Sequence, residues 1–143
     1  MPASEGRVYL ISIISSVAFA VMYAQVELWV SWERVLRDFS FLPSVFGVTP
    51  YNLLFTTLLY LLVAFGPLMP VMGKKAFAVG LANFLLICVV EDASYFLLSG
   101  RWITQADYTA RILGTVSICG ILVPTWYLIY LIFVLALYSR AVG

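Results

Sequence analysis

The chain contains no histidine in its 143 residues. That removes the commonest haem and zinc ligand and the usual general base, so Ser-His-Asp hydrolysis and most zinc chemistry fall away. Cysteine is scarce too. Cys88 and Cys119 stand apart in apolar runs, form neither CxxC nor any metal-ligand spacing, and read as small packing residues. No metal centre is expected, and the sequence names no cofactor. Charged residues make up only 10% of the chain, the eight Lys and Arg are scattered, and the net charge is +1. With no basic patch, nucleic acid is excluded as a partner. Nor is there a linker, a low-complexity tract or a repeat, so residues 1–143 are expected to form a single domain.

What is present is hydrocarbon. Hydrophobic side chains account for 64% of residues and the mean hydropathy is +1.04, well beyond the roughly 45–50% of soluble domains. A lipid bilayer is the expected surrounding. The apolar runs divide into four candidate helices, at about 8–37, 50–72, 76–98 and 105–139. The first is too long for the apolar core of a signal peptide and runs directly on into VELWVSW. Thr49 and Pro50 look like an N-cap and first helical position for the second, which Pro67 and Pro70 should stop or kink. Ser99-Gly100 is a plausible close for the third. Thr104 and Asp107 have the spacing of a capping box that would open the fourth, and Pro124 should bend it. The expected fold is all-α: a four-transmembrane-helix bundle, up-down-up-down, integral to the membrane.

Helix phase gives the run its chemistry. Ser12, Ser16, Ala20 and Ala24 recur every four residues, a small-residue stripe that lets a neighbouring helix approach, and Glu27 extends it. On the third segment Glu91 shares a face with Gly80, Phe84 and Tyr95, whereas Asp92 points about 100° away. An intramembrane acid is costly and is a functional hypothesis by default. Up-down-up-down topology places Glu27, Glu33, Asp38, Glu91, Asp92 and Asp107 at one end together with Arg34, Arg37, Arg101 and Arg111. Glu5, Arg7, Lys74, Lys75 and Arg140 fall at the other. The candidate ligand- or ion-binding residues are Glu91, Asp92, Glu27, Tyr95, Asn52, Arg111 and Arg101. Asp107 and Arg111 also have ordinary i,i+4 helix-pair spacing. Trp126 and Tyr127 read as mid-helix aromatics beside a Pro124 kink, packed there or lining a hydrophobic ligand groove.

Three functions compete on these residues. The first is binding or translocation of a cation, proton or small solute through the acidic site, in a homo-oligomer. The second is a membrane-embedded enzyme using a carboxylic general acid on a lipid or isoprenoid, with no catalytic residue assigned. The third is a structural or accessory subunit of a larger membrane complex. Lys and Arg tie four to four between the two ends, which permits dual topology. If the arginines among acids are neutralised, both termini are expected in the cytoplasm, with the chain in the plasma membrane.

Overall fold

The computed structural model describes residues 3–30 and 51–142. Helix α1 runs Ala3–Val30. After it come a π-helical turn at Tyr51–Thr56, α2 at Thr57–Phe65 and a 3₁₀ segment at Gly66–Val71. Helix α3 spans Lys74–Leu98. A one-turn helix α4, Tyr108–Arg111, precedes a hairpin of β1 (Thr115–Ile118) and β2 (Ile121–Pro124), and α5 closes the order at Thr125–Val142. The expected start of the second helix at Thr49-Pro50, and residues 31–37 of the first, lie outside the described residues.

Three stretches are long and apolar enough to cross a membrane: Glu5–Val30, Leu54–Val71 and Lys74–Leu98. Helix α5 is apolar too but shorter. The chain is mostly helical, but the expected fourth helix over 105–139 is overturned, and with it the strictly all-α class. Gly114 and Gly120 bracket Thr115, Val116 and Ile118, and Ile121 and Val123 follow, a density of β-branched side chains that suits a pleated ribbon better than a helix. Cys119 and Gly120 form the two-residue turn with φ of 51° and 82°, the left-handed pair that matches the twist of a tight hairpin. The register pairs Ile118 with Ile121 and Thr115 with Pro124. Pro124 ends a strand rather than bending a helix. Pro67 and Pro70 do stop the α-helix, which ends at Phe65 with Gly66 as its C-cap, but the segment runs on to Val71 because the backbone tightens into the 3₁₀ form around them. Gly100, at φ 77°, closes α3, with its N–H on the Leu97 carbonyl and the Arg101 N–H on that of Phe96.

Contacts fix the directions. Tyr23 meets Tyr60 and Tyr9 packs with Leu68, so α1 and α2 run antiparallel. Gly80 lies against Phe65 and Asn83 reaches Ala64, which sets α3 antiparallel to α2. Tyr138 meets Asn83 and Tyr127 meets Asp92, setting α5 antiparallel to α3. Ser12, Ser16, Ala20 and Ala24 each have 0% exposure, so the stripe is the packing face of α1. The outer faces carry Leu10, Ile11, Ile14, Leu58, Leu62, Phe77, Ile132 and Leu135, all exposed, a hydrocarbon surface that water does not favour.

Gly80 lets α2 and α3 close up. A Cβ there would collide with the Phe65 ring, which also packs on Phe77 at 5.6 Å. Gly80→Val is expected to destabilise by on the order of 1–3 kcal/mol through overpacking. Thermal unfolding in detergent checks it, and an unchanged midpoint would mean that the ring swings aside at no cost.

Candidate functional site

At the end of the bundle where α1 and α3 finish, Glu91 turns toward α1 and α2. Its carboxyl is in hydrogen-bonding contact with that of Glu27, and the Tyr60 hydroxyl donates to it. All three side chains are held by regular helix: Glu27 sits one turn past Tyr23, and Tyr60 packs edge-on to Tyr23 and Phe19 at 5.6 and 5.9 Å. The Tyr23 hydroxyl meets Thr56 Oγ1 at 3.3 Å. Ala20, Ala64 and Ile87 seal the layer beneath. Two carboxyl groups in contact need a shared proton or a cation between them, since two bare negative charges in a poorly solvated place repel strongly.

Asp92, one residue on, faces the other way, as a 100° step requires. Its Oδ2 accepts hydrogen bonds from Thr109 Oγ1 at 2.7 Å and from the Tyr127 hydroxyl. The Trp126 indole N–H completes the chain by donating to Thr109 Oγ1 and to the Thr109 carbonyl, both at 3.1 Å. Here the mid-helix reading of Trp126 and Tyr127 fails: they open α5, directly after the strand, and their polar atoms are bound to α4 and α3. Trp126 stacks edge-on against Tyr130 at 5.2 Å, within a cluster that includes Val89, Phe96, Ile103 and Ala110.

The other candidates lie elsewhere. Arg101 grips Asp107 through two hydrogen bonds of 2.8 and 2.9 Å and lies 4.7 Å over the Phe96 ring. Arg111 donates to the Ala106 carbonyl at 2.7 Å, so the i,i+4 pairing with Asp107 does not form. Tyr95 packs with the aromatic cluster around Phe96. The side chain of Asn52 lies outside the described residues, as do Glu33, Arg34, Arg37 and Asp38. Thr104 and Asp107 do interact like a capping box: Asp107 Oδ2 accepts from the Thr104 N–H and hydroxyl at 2.8 Å each. The turn they close lies before α4, whose own N-cap, Asp107, makes no side-chain capping hydrogen bond.

The Arg101 guanidinium, followed by those Thr104 donors, holds the Asp107 carboxyl well below the usual carboxylate range. A depressed folded-state value means this contact supports the turn at and above ordinary carboxylate pKa values and is lost as pH falls below them. With Arg101 about half exposed, the contribution is small.

Tyr60 was not singled out from the sequence, although it lies on the α2 face opposite Glu91. The helix phase that picked out the glutamates would have found it once α2 was set antiparallel. A second buried polar knot was also missed. Asn83 Nδ2 donates to Ser12 Oγ at 2.6 Å and toward the Ala64 carbonyl at 3.4 Å, while the Tyr138 hydroxyl donates to Asn83 Oδ1 at 2.7 Å. Among the described residues no group of three or more acids and cysteines is arranged to hold a metal ion. Comparison of the chain with protein-family models, with curated proteins and with solved structures finds no match.

Proposed function

We propose that the chain is a multi-pass membrane protein that binds, and passes across the bilayer, a proton or small cation at the Glu27–Glu91 pair. The observation that carries this reading is the contact between two carboxyls on separate helices, α1 and α3, with the Tyr60 hydroxyl of α2 completing the set. A lone buried acid is satisfied by one hydroxyl; two acids facing one another form a place where one positive charge, proton or cation, is always favoured. Asp92, held by Thr109 and Tyr127, positions the surrounding elements. Arg101 and Arg111, engaged with Asp107 and a backbone carbonyl, remain at the rim. Since α1 and α3 are parallel, Arg7, Lys74 and Lys75 fall at the end opposite the acids, which favours that end in the cytoplasm. A homo-oligomer in the plasma membrane supplies the second wall of the path.

Reconstitution into vesicles carrying an internal pH dye tests this. The wild-type chain should dissipate an imposed pH or alkali-cation gradient, and Glu91→Gln and Glu27→Gln should each slow it about tenfold or more, as expected when an intramembrane relay group is removed. Wild-type flux in both variants, with unchanged melting, would remove the pair from the function.

A further inference from the structure

Among the described residues, nothing covers the outer part of one apolar face of the hairpin. Cross-strand partners share one side of a ribbon, so Val116, Val123, Ile118 and Ile121 line one face. Val116, Ile118 and Ile121 are 42, 44 and 53% exposed, and Ile112 and Leu113 just before the hairpin are exposed as well. The hairpin's height is set by its base. Val123 packs into the cluster containing Val89, Phe96 and Trp126, and the Trp102 indole N–H donates to the Leu122 carbonyl at 2.7 Å. The ribbon is therefore anchored beside the last turns of α3, where the apolar span gives way to Ser99, Gly100 and Arg101. Exposed Trp29, Tyr108 and Arg111 lie at this same end of the bundle, and Trp, Tyr and Arg are the side chains that gather at a headgroup boundary.

From this placement we infer that the β1–β2 hairpin lies on the bilayer at the headgroup–acyl boundary, its Val116, Ile118 and Ile121 face dipped toward the hydrocarbon. The inference rests on the reading that the long helices cross a bilayer. Its occupant is lipid because the hairpin is anchored at the end of spans whose outer sides are themselves apolar and exposed, and is accompanied there by interfacial residue types. Depth follows from backbone chemistry. A two-stranded ribbon has two open edges whose N–H and C=O groups need water or headgroups, so it cannot sink to the hydrocarbon centre. The apolar face and the polar edges together select the boundary.

Cys119, exposed at the turn, is the reporter. In full-length Cys88→Ala protein, an environment-sensitive fluorophore on Cys119 is read in phosphatidylcholine–phosphatidylglycerol vesicles bearing nitroxides either near the glycerol or near the chain end. Aqueous iodide is the opposing quencher. A parallel sample carries the fluorophore on Ile14→Cys, mid-span in α1, with both native cysteines replaced by Ala. The expected result is severalfold stronger quenching of Cys119 by the shallow nitroxide than by the deep one, with the reverse order at position 14 and iodide weak at both. Iodide quenching of Cys119 as strong as that of a free thiol adduct overturns the inference. So does shielding from iodide with no response to either nitroxide, which would mean that protein covers the ribbon. If position 14 also answers to iodide alone, the membrane-spanning reading itself has failed.

Discussion

Asn83→Leu is expected to lower the thermal midpoint of the detergent-solubilised protein by about 4–16 °C, at roughly 2–4 °C per kcal/mol for a chain of this size. The substitution keeps the volume and deletes every polar contact at the place where the helices meet. Asn83 has 0% exposure and joins α1 through Ser12, α2 through the Ala64 carbonyl and α5 through Tyr138. Single hydrogen bonds between membrane helices average only about 0.6 kcal/mol, but removing the shared partner strands two hydroxyls in a dry interior, at about 1–3 kcal/mol for each one left unsatisfied. Together these place the loss at about 2–4 kcal/mol. Ser12 can recover part by turning its hydroxyl to the carbonyl one turn back, as helix serines do; Tyr138 has no such local partner. Tyr138→Phe should therefore cost about 1 kcal/mol alone and nearly nothing on top of Asn83→Leu. Full additivity of the two, or an unchanged midpoint in Asn83→Leu, would show that the knot does not hold the bundle together.

How far the sequence could be read is clearest along α1. The four-residue recurrence of Ser12, Ser16, Ala20 and Ala24 required only the α-helical period, and each is fully buried. The same period turned Glu27 and Glu91 inward, and their carboxyls meet. Local rules also served where they were local: Gly100 closes α3 in the left-handed region, and Asp107 reaches back to Thr104.

Residues 113–125 defeated the same approach because the strands are four residues each, too short for a hydropathy period to separate ribbon from helix. Strand and helix were then separable only by the weaker evidence of β-branching and the glycines at 114 and 120. The arginines were misplaced for another reason. Topology put Arg101 and Arg111 at the same end as the acids but could not name their partners, and Arg101 lies beyond the left-handed Gly100. The chain turns there, and the nearest carboxylate becomes Asp107 rather than Asp92. Asn83 was passed over because an amide in an apolar run carries no charge to draw notice, although its burial cost demands partners just as an acid's does.

Asp92→Ala should free the residues that cover this end of the bundle. The carboxyl receives Thr109 from α4 and Tyr127 from α5, and Thr109 in turn receives the Trp126 indole, so one oxygen ties three helices. Deleting it leaves a buried tyrosine hydroxyl and a buried threonine hydroxyl without their acceptor, a loss of about 2–4 kcal/mol, in the lower part of the range set by roughly 1–3 per stranded group. The loss should be local. Amide hydrogen exchange over residues 101–124 is expected to speed up by an order of magnitude or more, because that segment packs on the long helices through a few side chains, Trp102, Ile103, Thr109, Ala110 and Val123 among them, while α1 and α2 keep wild-type rates. Thr109→Val removes one donor and keeps the shape, so it should reproduce part of the effect and couple to Tyr127→Phe in a double-mutant cycle. The cycle also separates the two neighbouring acids. Asp92→Ala should loosen the cover while Glu91→Gln leaves its exchange rates unchanged, because Glu91 is directed at Glu27 and Tyr60. Equal acceleration in Asp92→Ala and Glu91→Gln would mean that the two acids act as one cluster, and the division of labour set by their 100° separation on α3 would be lost.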